Sequence, residues 1–416
     1  MTLERFRDVT HVIGGFLPER LGGTQTQLLQ LAIAQRREGY RSDVVTLAQG
    51  PGAKSKETRG EYSGVPVTRL GASRSRPWSF ESIYMNRELD QPFSDYLAKR
   101  QPGCVHFHHL GELSFSLVDV AKQSGFPVVL WLSDFWMQCL RGQRFHPYSM
   151  SPCAENSTGR CLECLTALWP STTPRDLAQW KAAVDKTLVG CDAILVPSAG
   201  HQRLLDDWGI EARTTEVVPY GLPRPKIVPS RHDRPVQSIG YIGTLLPSKG
   251  AHVLIQAFNQ LDRPDLTLDI FGESVRYHEI ESYEKALKAL PAPGLRVRFH
   301  GRYEPSDLAR TLAAIDLLVV PSLWWESFCL VAREGARAGL PVVVSALGGL
   351  QEAADSGVAV GVPPGDYVAL AATLAELIDD PERRLALGCV GRQVCRIEES
   401  LQALEEVYRR VVGADQ

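Results

Sequence analysis

Short runs of β-branched and other apolar residues alternate with stretches of helical spacing along most of the chain. DVTHVIGG, from Asp8, reads as a strand entering a glycine turn. TQTQLLQLAIAQRREGY then reads as a helix, with Thr24 as its N-cap and Gly39 as its stop. RSDVVTLA, CVHFHH, PVVLWLS and DAILVPS are further strand-like runs. The pattern lapses in VVPYGLPRPKIVPSRHDRP, a proline-rich, charged stretch without periodicity that ends at Pro235 and reads as a linker. It resumes with VQSIGYIGTL as strand and glycine turn, KGAHVLIQAFNQL as helix, and LTLDIFG, LRVRFHG, DLLVVPS and PVVVSA as strands. The tail from Pro381 to Gln416 is helical, and SLQALEEVYRRVV carries an apolar stripe. The second half repeats the grammar of the first. Such alternation predicts an α/β protein of two Rossmann-like, doubly wound domains, with the carboxyl ends of the strands as binding edges. Two such domains facing each other would hold a site in the cleft between them.

Composition narrows this reading. At 416 residues, 44% apolar and 22% charged, the chain suits a globular protein of two domains. A net charge of −3 offers no global basic field for nucleic acid. No window reaches the length of a membrane span, and the start lacks the apolar stretch of a secretory signal, so the expected location is cytoplasmic. Between Lys54 and Arg76, six Lys/Arg stand against two Glu. A solvated loop is the favoured reading there, with peripheral membrane contact kept open.

The densest chemistry lies in PSLWWESFCLVAREGARAGLPVVVSALGG, from Pro321, where Glu326 and Glu334 stand eight positions apart. The first falls near a strand-to-helix turn and the second on the helix. A carboxylate accepts hydrogen bonds from vicinal hydroxyls, the groups that sugars and ribose offer. Backbone N–H groups at such a helix start face anions. On spacing alone, a helix-dipole glutamate with an unrelated surface glutamate would suffice. The flanking pattern argues for more. Upstream, GTLLPSKG places a glycine turn after a strand and Lys249 at the head of a helix.

These stretches, with GGFLPERLGGTQTQLLQLA near the start, resemble the retaining nucleotide-sugar glycosyltransferases of family four, which have the GT-B architecture. The resemblance covers nearly the whole chain in order. It implies that residues 1–222 form an acceptor-side domain and 223–395 a nucleotide-sugar domain, with a helix at 396–416 packing back on the first. It also implies roles. Glu334 would bind ribose hydroxyls, and Glu326 would lie by the donor sugar. The amides of Ser327, Phe328, Cys329 and Leu330 would help hold that sugar. Gly243 and Thr244 would form the turn, and Lys249 would meet the diphosphate as a compact cation. Relatives often carry Arg where Thr244 stands, which shifts phosphate neutralisation to Lys249 and another donor, for which Arg302 of HGRYEP is the candidate.

In the first half, Gly22 and Gly23 would let the backbone approach a phosphate or the acceptor. Strand alternation puts His106 and His108 on one face of CVHFHH. In the resembling family a histidine at this strand end lines the sugar site. His108 matches best and His109 is second, whereas His106 reads as a core residue. Relatives often have His where Ser133 stands; Asp134, next to it, could reach the cleft.

Cys139, Cys153, Cys161 and Cys164 are spaced C-x13-C-x7-C-x2-C within an insertion at about 139–170. Four thiolates at such spacing can hold a tetrahedral ion, which would let a loop-like segment fold. Zinc is the first choice. An iron–sulfur cluster uses the same ligands, and two disulfides or four thiols are the bland alternative. No D-x-D pair stands at a strand end, so no catalytic metal is expected. Transition-state charge would then fall to cations and helix N-termini.

The expected activity is transfer of a sugar, with retention, from a nucleoside-diphosphate sugar to a hydroxyl of a glycan, lipid-linked glycan or small molecule. A phosphorylase or epimerase on the same fold, and a non-catalytic nucleotide-sugar sensor, are the alternatives. A Rossmann oxidoreductase is disfavoured because GGFLPERLGG is not G-x-G-x-x-G.

Overall fold

The computed structural model describes all residues except 1–3, 49–56, 72–78, 112, 147, 154–156, 167, 207–214, 224–233, 275–282 and 414–416. Much of the basic stretch from Lys54 to Arg76, and of the linker before Pro235, therefore lies outside the described residues. The chain divides into two compact units. One comprises Met1–Gly142, Glu155–Gly221 and Cys395–Gln416. The other comprises Gln143–Ala154 and Leu222–Val394.

The first unit holds β1 (Asp8–Ile13), α1 (Gly23–Arg37), β2 (Arg41–Leu47), β3 (Thr58–Tyr62), β4 (Val65–Leu70), α2 (Asp90–Arg100), β5 (Cys104–His109), α3 (Ser116–Gln123) and β6 (Val128–Trp131). A short hairpin of β7 (Phe145–His146) and β8 (Ser151–Pro152) belongs to the second unit. The first then continues with α4 (Thr158–Thr166), α5 (Pro174–Gly190), β9 (Ala193–Val196), α6 (Ala199–Asp206) and β10 (Thr215–Val217). The sheet order is β10-β9-β6-β5-β1-β2-β4-β3, parallel except for the β3–β4 pair. β1 is buried along its whole length, as a central parallel strand covered on both faces requires. The order reverses at β1, so the gap between the carboxyl ends of β1 and β5 is the switch point where such sheets bind ligands. α1 starts two residues earlier than its threonine suggested, capped by Gly22.

The second unit contains β11 (Ser238–Ile242), α7 (Ala251–Leu261), β12 (Thr267–Phe271), α8 (Tyr283–Lys288), β13 (Arg296–Gly301), α9 (Leu308–Ala313), β14 (Leu317–Val320), α10 (Leu330–Arg337), β15 (Val342–Ser345), α11 (Gly349–Asp355), β16 (Val360–Val362), α12 (Tyr367–Asp379) and α13 (Pro381–Val390). Its sheet is parallel throughout in the order β13-β12-β11-β14-β15-β16, with a switch point between β11 and β14. α14 (Ile397–Val412) belongs to the first unit, where it packs on α1 and β5. No helix among the described residues is long and apolar enough to cross a membrane.

Candidate active site

The second unit's switch point gathers the residues that the sequence singled out there. After β11, the chain passes Gly243 and Thr244 and turns through Pro247–Lys249. Gly250 follows in a left-handed conformation with φ of 71°. A Cβ at Gly250 would lie 1.9 Å from the Pro321 carbonyl oxygen, so only glycine lets this turn close on the loop after β14. The Leu323 N–H, donating to the Ser248 carbonyl at 2.7 Å, ties the two loops together.

That closure delivers Lys249 to Glu326. The Lys249 ammonium donates to Glu326 Oε1 at 2.8 Å and lies 4.5 Å from the Trp324 ring centroid. The same oxygen accepts from Ser322 Oγ and Trp324 Nε1, each at 2.7 Å. Glu326 is buried, and three donors on one oxygen offset the cost of desolvating it.

Glu326 continues into Ser327, Phe328 and Cys329. Cys329 caps α10 with a left-handed φ of 64°, a strained backbone of the kind that gathers at binding sites. Leu330 opens the helix, and Glu334 falls on its second turn, half-buried. Desolvation pushes the Glu334 carboxyl up to about 7, close to neutral pH. The loop is clamped from behind. The Gly349 N–H donates to the Glu326 carbonyl at 2.6 Å, and a Cβ at Gly348 would lie 2.6 Å from that same oxygen. Arg333, buried, donates to the carbonyls of Phe328 and, at 3.1 Å, Gly349, so one guanidinium joins both loops. Arg333, Ser322 and Trp324 escaped the sequence reading. The one available signal was a basic residue inside the apolar helix run LVAREGARAG. Arg302 is half-exposed and ion-paired with Glu273 and Glu304, at 3.7 and 3.3 Å.

At the first unit's switch point the histidines separate. β1 and β5 lose register beyond Val12, so that Ile13 pairs with His109 and skips His108. His108 is consequently kept in the core. Its nomination for the sugar site is corrected: it has no exposed surface. His11 Nε2 donates to Gln35 Oε1 at 2.7 Å, which leaves His11 Nδ1 to accept from His108 Nε2 at 2.9 Å. The Gln35 amide reaches Tyr408 Oη of α14 at 3.5 Å, and that hydroxyl meets His106 Nδ1 at 2.7 Å. The ring nitrogens of His11, His106 and His108 lie close enough to hold a metal, but this one-way hydrogen-bond chain already occupies most of them. Burial holds all three rings neutral, and lowers His11 to about 4.

His109 sits half-exposed at the strand end. The Gly111 N–H donates to its Nδ1 at 3.0 Å, so Nε2 carries the proton and donates to Asp134 at 2.9 Å. Asp134 also accepts the Trp136 N–H at 2.9 Å. Burial raises this carboxyl, but His109 and the hydrogen bonds outweigh it and hold the group below the usual range. Ser133 is occupied, donating to the His108 carbonyl at 2.8 Å. Gly22 and Gly23 form the start of α1 beside β1, where the N–H groups of the first turn face outward from the helix end.

The cysteine segment is less loop-like than expected. Cys161 and Cys164 lie one turn apart on α4, and Cys139 lies in a turn of the same unit. Cys153 belongs to the second unit, where its N–H donates to the Arg144 carbonyl at 2.7 Å.

The fold and these two strand-end sites define a GT-B protein, and the likeness to solved structures agrees. The sucrose-phosphate synthase of Thermosynechococcus elongatus superposes with a TM-score of 0.71 at 22% identity, covering 98% of this chain and 99% of that one. The Anabaena HepE protein in complex with UDP-glucose gives 0.67 at 18% identity, covering 97% and 99%. Sequence profiles for "Glycosyl transferase 4-like domain" and "Glycosyl transferases group 1" match residues 22–221 and 227–394. The chain belongs to this glycosyltransferase family.

Among curated relatives, a GDP-mannose-dependent phosphatidylinositol monomannoside mannosyltransferase of Corynebacterium glutamicum is 34% identical over 180 residues, 41% of this chain and 45% of that protein. A glycogen synthase of Mycobacterium tuberculosis is 35% identical over 166 residues, 39% of this chain and 37% of that protein. The matched stretch thus spans less than half of each of these relatives.

Proposed function

We propose that this protein transfers a sugar from a nucleoside-diphosphate sugar to an acceptor hydroxyl with retention of configuration. The observation that carries the reading is the set at the β11–β14 switch point: Lys249 on Glu326, and Glu334 on the second turn of the adjoining α10. In this reading Glu334 takes the ribose hydroxyls. Lys249 shares its ammonium between Glu326 and the diphosphate, offsetting the charge that develops as the sugar leaves. The outer oxygen of Glu326 and the amides of Ser327–Leu330 hold the donor sugar. His109, with its proton fixed on Nε2 by Gly111, presents a neutral imidazole on the acceptor side.

Asp134 is committed to His109 and the Trp136 amide, which makes it a poor nucleophile. That supports front-face transfer, in which the leaving phosphate oxygen takes the proton from the incoming hydroxyl. Lys249 and helix N-termini supply the charge that a divalent ion supplies elsewhere, so catalysis is read as independent of such an ion. The mannosyltransferase and glycogen synthase named above support a sugar-nucleotide donor and a glycan or lipid-linked acceptor.

The test is turnover of a panel of nucleotide sugars with glycan and lipid-linked acceptors, read as acceptor-dependent release of nucleoside diphosphate. The expected result is release that Mg²⁺ does not accelerate, a product with the donor's anomeric configuration by NMR, and a rate at least 100-fold lower in Lys249→Ala, a loss of the size seen when one charge-stabilising donor is removed. An inverted product would end the retaining assignment. Undiminished turnover in Lys249→Ala would end the role given to that residue.

A further inference from the structure

The basic stretch between Lys54 and Arg76 is not absorbed by the transfer reaction. Its described part folds into the β3–β4 hairpin, and there it lines a cavity of about 330 Å³ in the first unit. The cavity lies among the amino-terminal halves of β2 and β4, the hairpin strand β3, and the carboxyl ends of α1 and α2. In this parallel sheet that is the end opposite to the strand termini that carry His109 and Asp134. The volume suits a small ligand.

Burial divides the lining into a floor and a rim of different chemistry. The floor holds Asp43, Thr68 and Tyr96, all buried. Asp43 accepts from Thr10 Oγ1 at 3.0 Å and from Tyr96 Oη. The rim holds Arg36, Arg41, Arg59 and Lys99, all exposed. The nearby acids are already answered. Asp8 pairs with Arg41 at 3.3 Å and with Arg100 at 2.6 Å, and Asp43 pairs with Arg100 at 3.0 Å. Glu57 meets Arg59 at 2.6 Å on the surface, where such a pair contributes little. Arg36 donates only to a neutral group, the Ser42 carbonyl, at 3.1 Å. Among the described residues neither Arg36 nor Lys99 meets a carboxylate. The rim thus carries two positive charges that no side chain answers.

We propose that this cavity binds the phosphate monoester of a small polyol, with the phosphate at the basic rim and the hydroxyls on the floor. The two unanswered charges of Arg36 and Lys99 match a dianion. A guanidinium and an ammonium are the side chains that bind phosphate best, the first through its planar fork and the second as a point charge. Asp43 keeps a second anionic group off the floor and accepts hydroxyls there instead. Charge and hydroxyls must therefore lie at opposite ends of the ligand, as they do in a polyol phosphate. An uncharged polyol would leave the rim unanswered, and a dicarboxylate would meet Asp43. The site uses no residue assigned to sugar transfer and stands independently of that reading.

The test is calorimetric titration of the full chain with glycerol 3-phosphate and sorbitol 6-phosphate, with glycerol and sorbitol as uncharged controls. Both phosphates should bind and neither control should, and added KCl should weaken the binding because the rim is exposed. Arg36→Gln and Lys99→Gln should each weaken it about tenfold, the effect of losing one hydrogen bond to a charged group. Both side chains are exposed, so thermal melts without added phosphate should match the wild type. Arg37→Gln, an exposed neighbour outside the cavity, should bind as the wild type does. Lys249→Ala, in the second unit, should also retain binding. No heat with either phosphate overturns the proposal. So does equal weakening in Arg37→Gln, which would reduce the effect to the general field of α1. Binding lost in Lys249→Ala but kept in the two rim variants would assign the phosphate to the β11–β14 switch point and likewise overturn it. Flotation with phosphatidic acid vesicles, without binding of the soluble phosphates, would assign the rim to a lipid headgroup and overturn the soluble ligand.

Discussion

Glu334 has a carboxyl raised to about 7 from its ordinary 4.5 by desolvation alone. Because the folded-state value lies above the unfolded one, folding is unpenalised below pH 4.5. A penalty grows as pH rises through the window to 7 and is complete above it. At ~1.4 kcal/mol per pKa unit, Glu334→Gln should therefore raise stability above pH 7 by roughly 1–3 kcal/mol and leave it unchanged at pH 4.5. The same variant should bind nucleoside diphosphate more weakly, which calorimetry would show. A residue that destabilises the fold while serving a ligand is the expected compromise at a binding site. Thermal melts across this range check the first claim, and equal melting of the two proteins at pH 8 would contradict it. Glu326, Glu334 and Lys249 were legible in the sequence because each sits in a local pattern of glycine turn, strand end and helix start. Arg333 was not, because its two carbonyl partners come from loops brought together only by the sheet. That His108 lies in the core and His109 at the open strand end was not legible for a related reason: strand alternation treats β5 as regular, and the register shift after Val12 is a tertiary event.

At the scale of elements, the hydrogen-bond chain from His108 through His11, Gln35 and Tyr408 to His106 binds four secondary-structure elements of the first unit: β1, β5, α1 and α14. It tolerates no extra proton. His11 has its folded value lowered to about 4, below the unfolded 6.5, so its contribution is complete above pH 6.5 and is lost as pH falls toward 4. The first unit should accordingly loosen in mild acid, seen as a change in near-UV circular dichroism from Trp131, whose ring stacks on His106 at 5.6 Å. Tyr408→Phe removes one link and should cost about 1–2 kcal/mol at pH 7.5, measured by denaturant titration. An unchanged midpoint would show that the chain carries no stability. The core strands were readable from their apolar runs. The β3–β4 hairpin was not, because β3 is an exposed edge strand with the polar sequence TRGEY.

At the scale of the whole molecule, the alternating pattern was sufficient to read two doubly wound units, but not their discontinuity. Residues 143–154 belong to the second unit although they interrupt the first, and α14 belongs to the first although it follows the second. An amphipathic helix at a chain end shows that it needs a partner, not which one; the return of residues 396–416 to the first unit was an expectation of the family resemblance, not of the pattern. In α14, Glu405 accepts from Tyr40 Oη at 2.7 Å and pairs with Arg7 at 3.2 Å, while Tyr408 enters the histidine chain. Truncation after Val394 should therefore expose the first unit to limited proteolysis while nucleotide still stabilises the second in thermal shift. Full protease resistance of the first unit without α14 would contradict this.

The place of α14 also bears on how the protein is made. A ribosome releases β1, α1 and β5 early, but their covering helix emerges only after the entire second unit has been synthesised. The second unit can close on itself at that point, whereas the first must wait with Gln35, Tyr40 and His106 lacking their α14 partners. Domains usually mature in the order of synthesis. Here the topology reverses that order, and the stretch of translation between β5 and α14 is the interval in which a chaperone would find this chain.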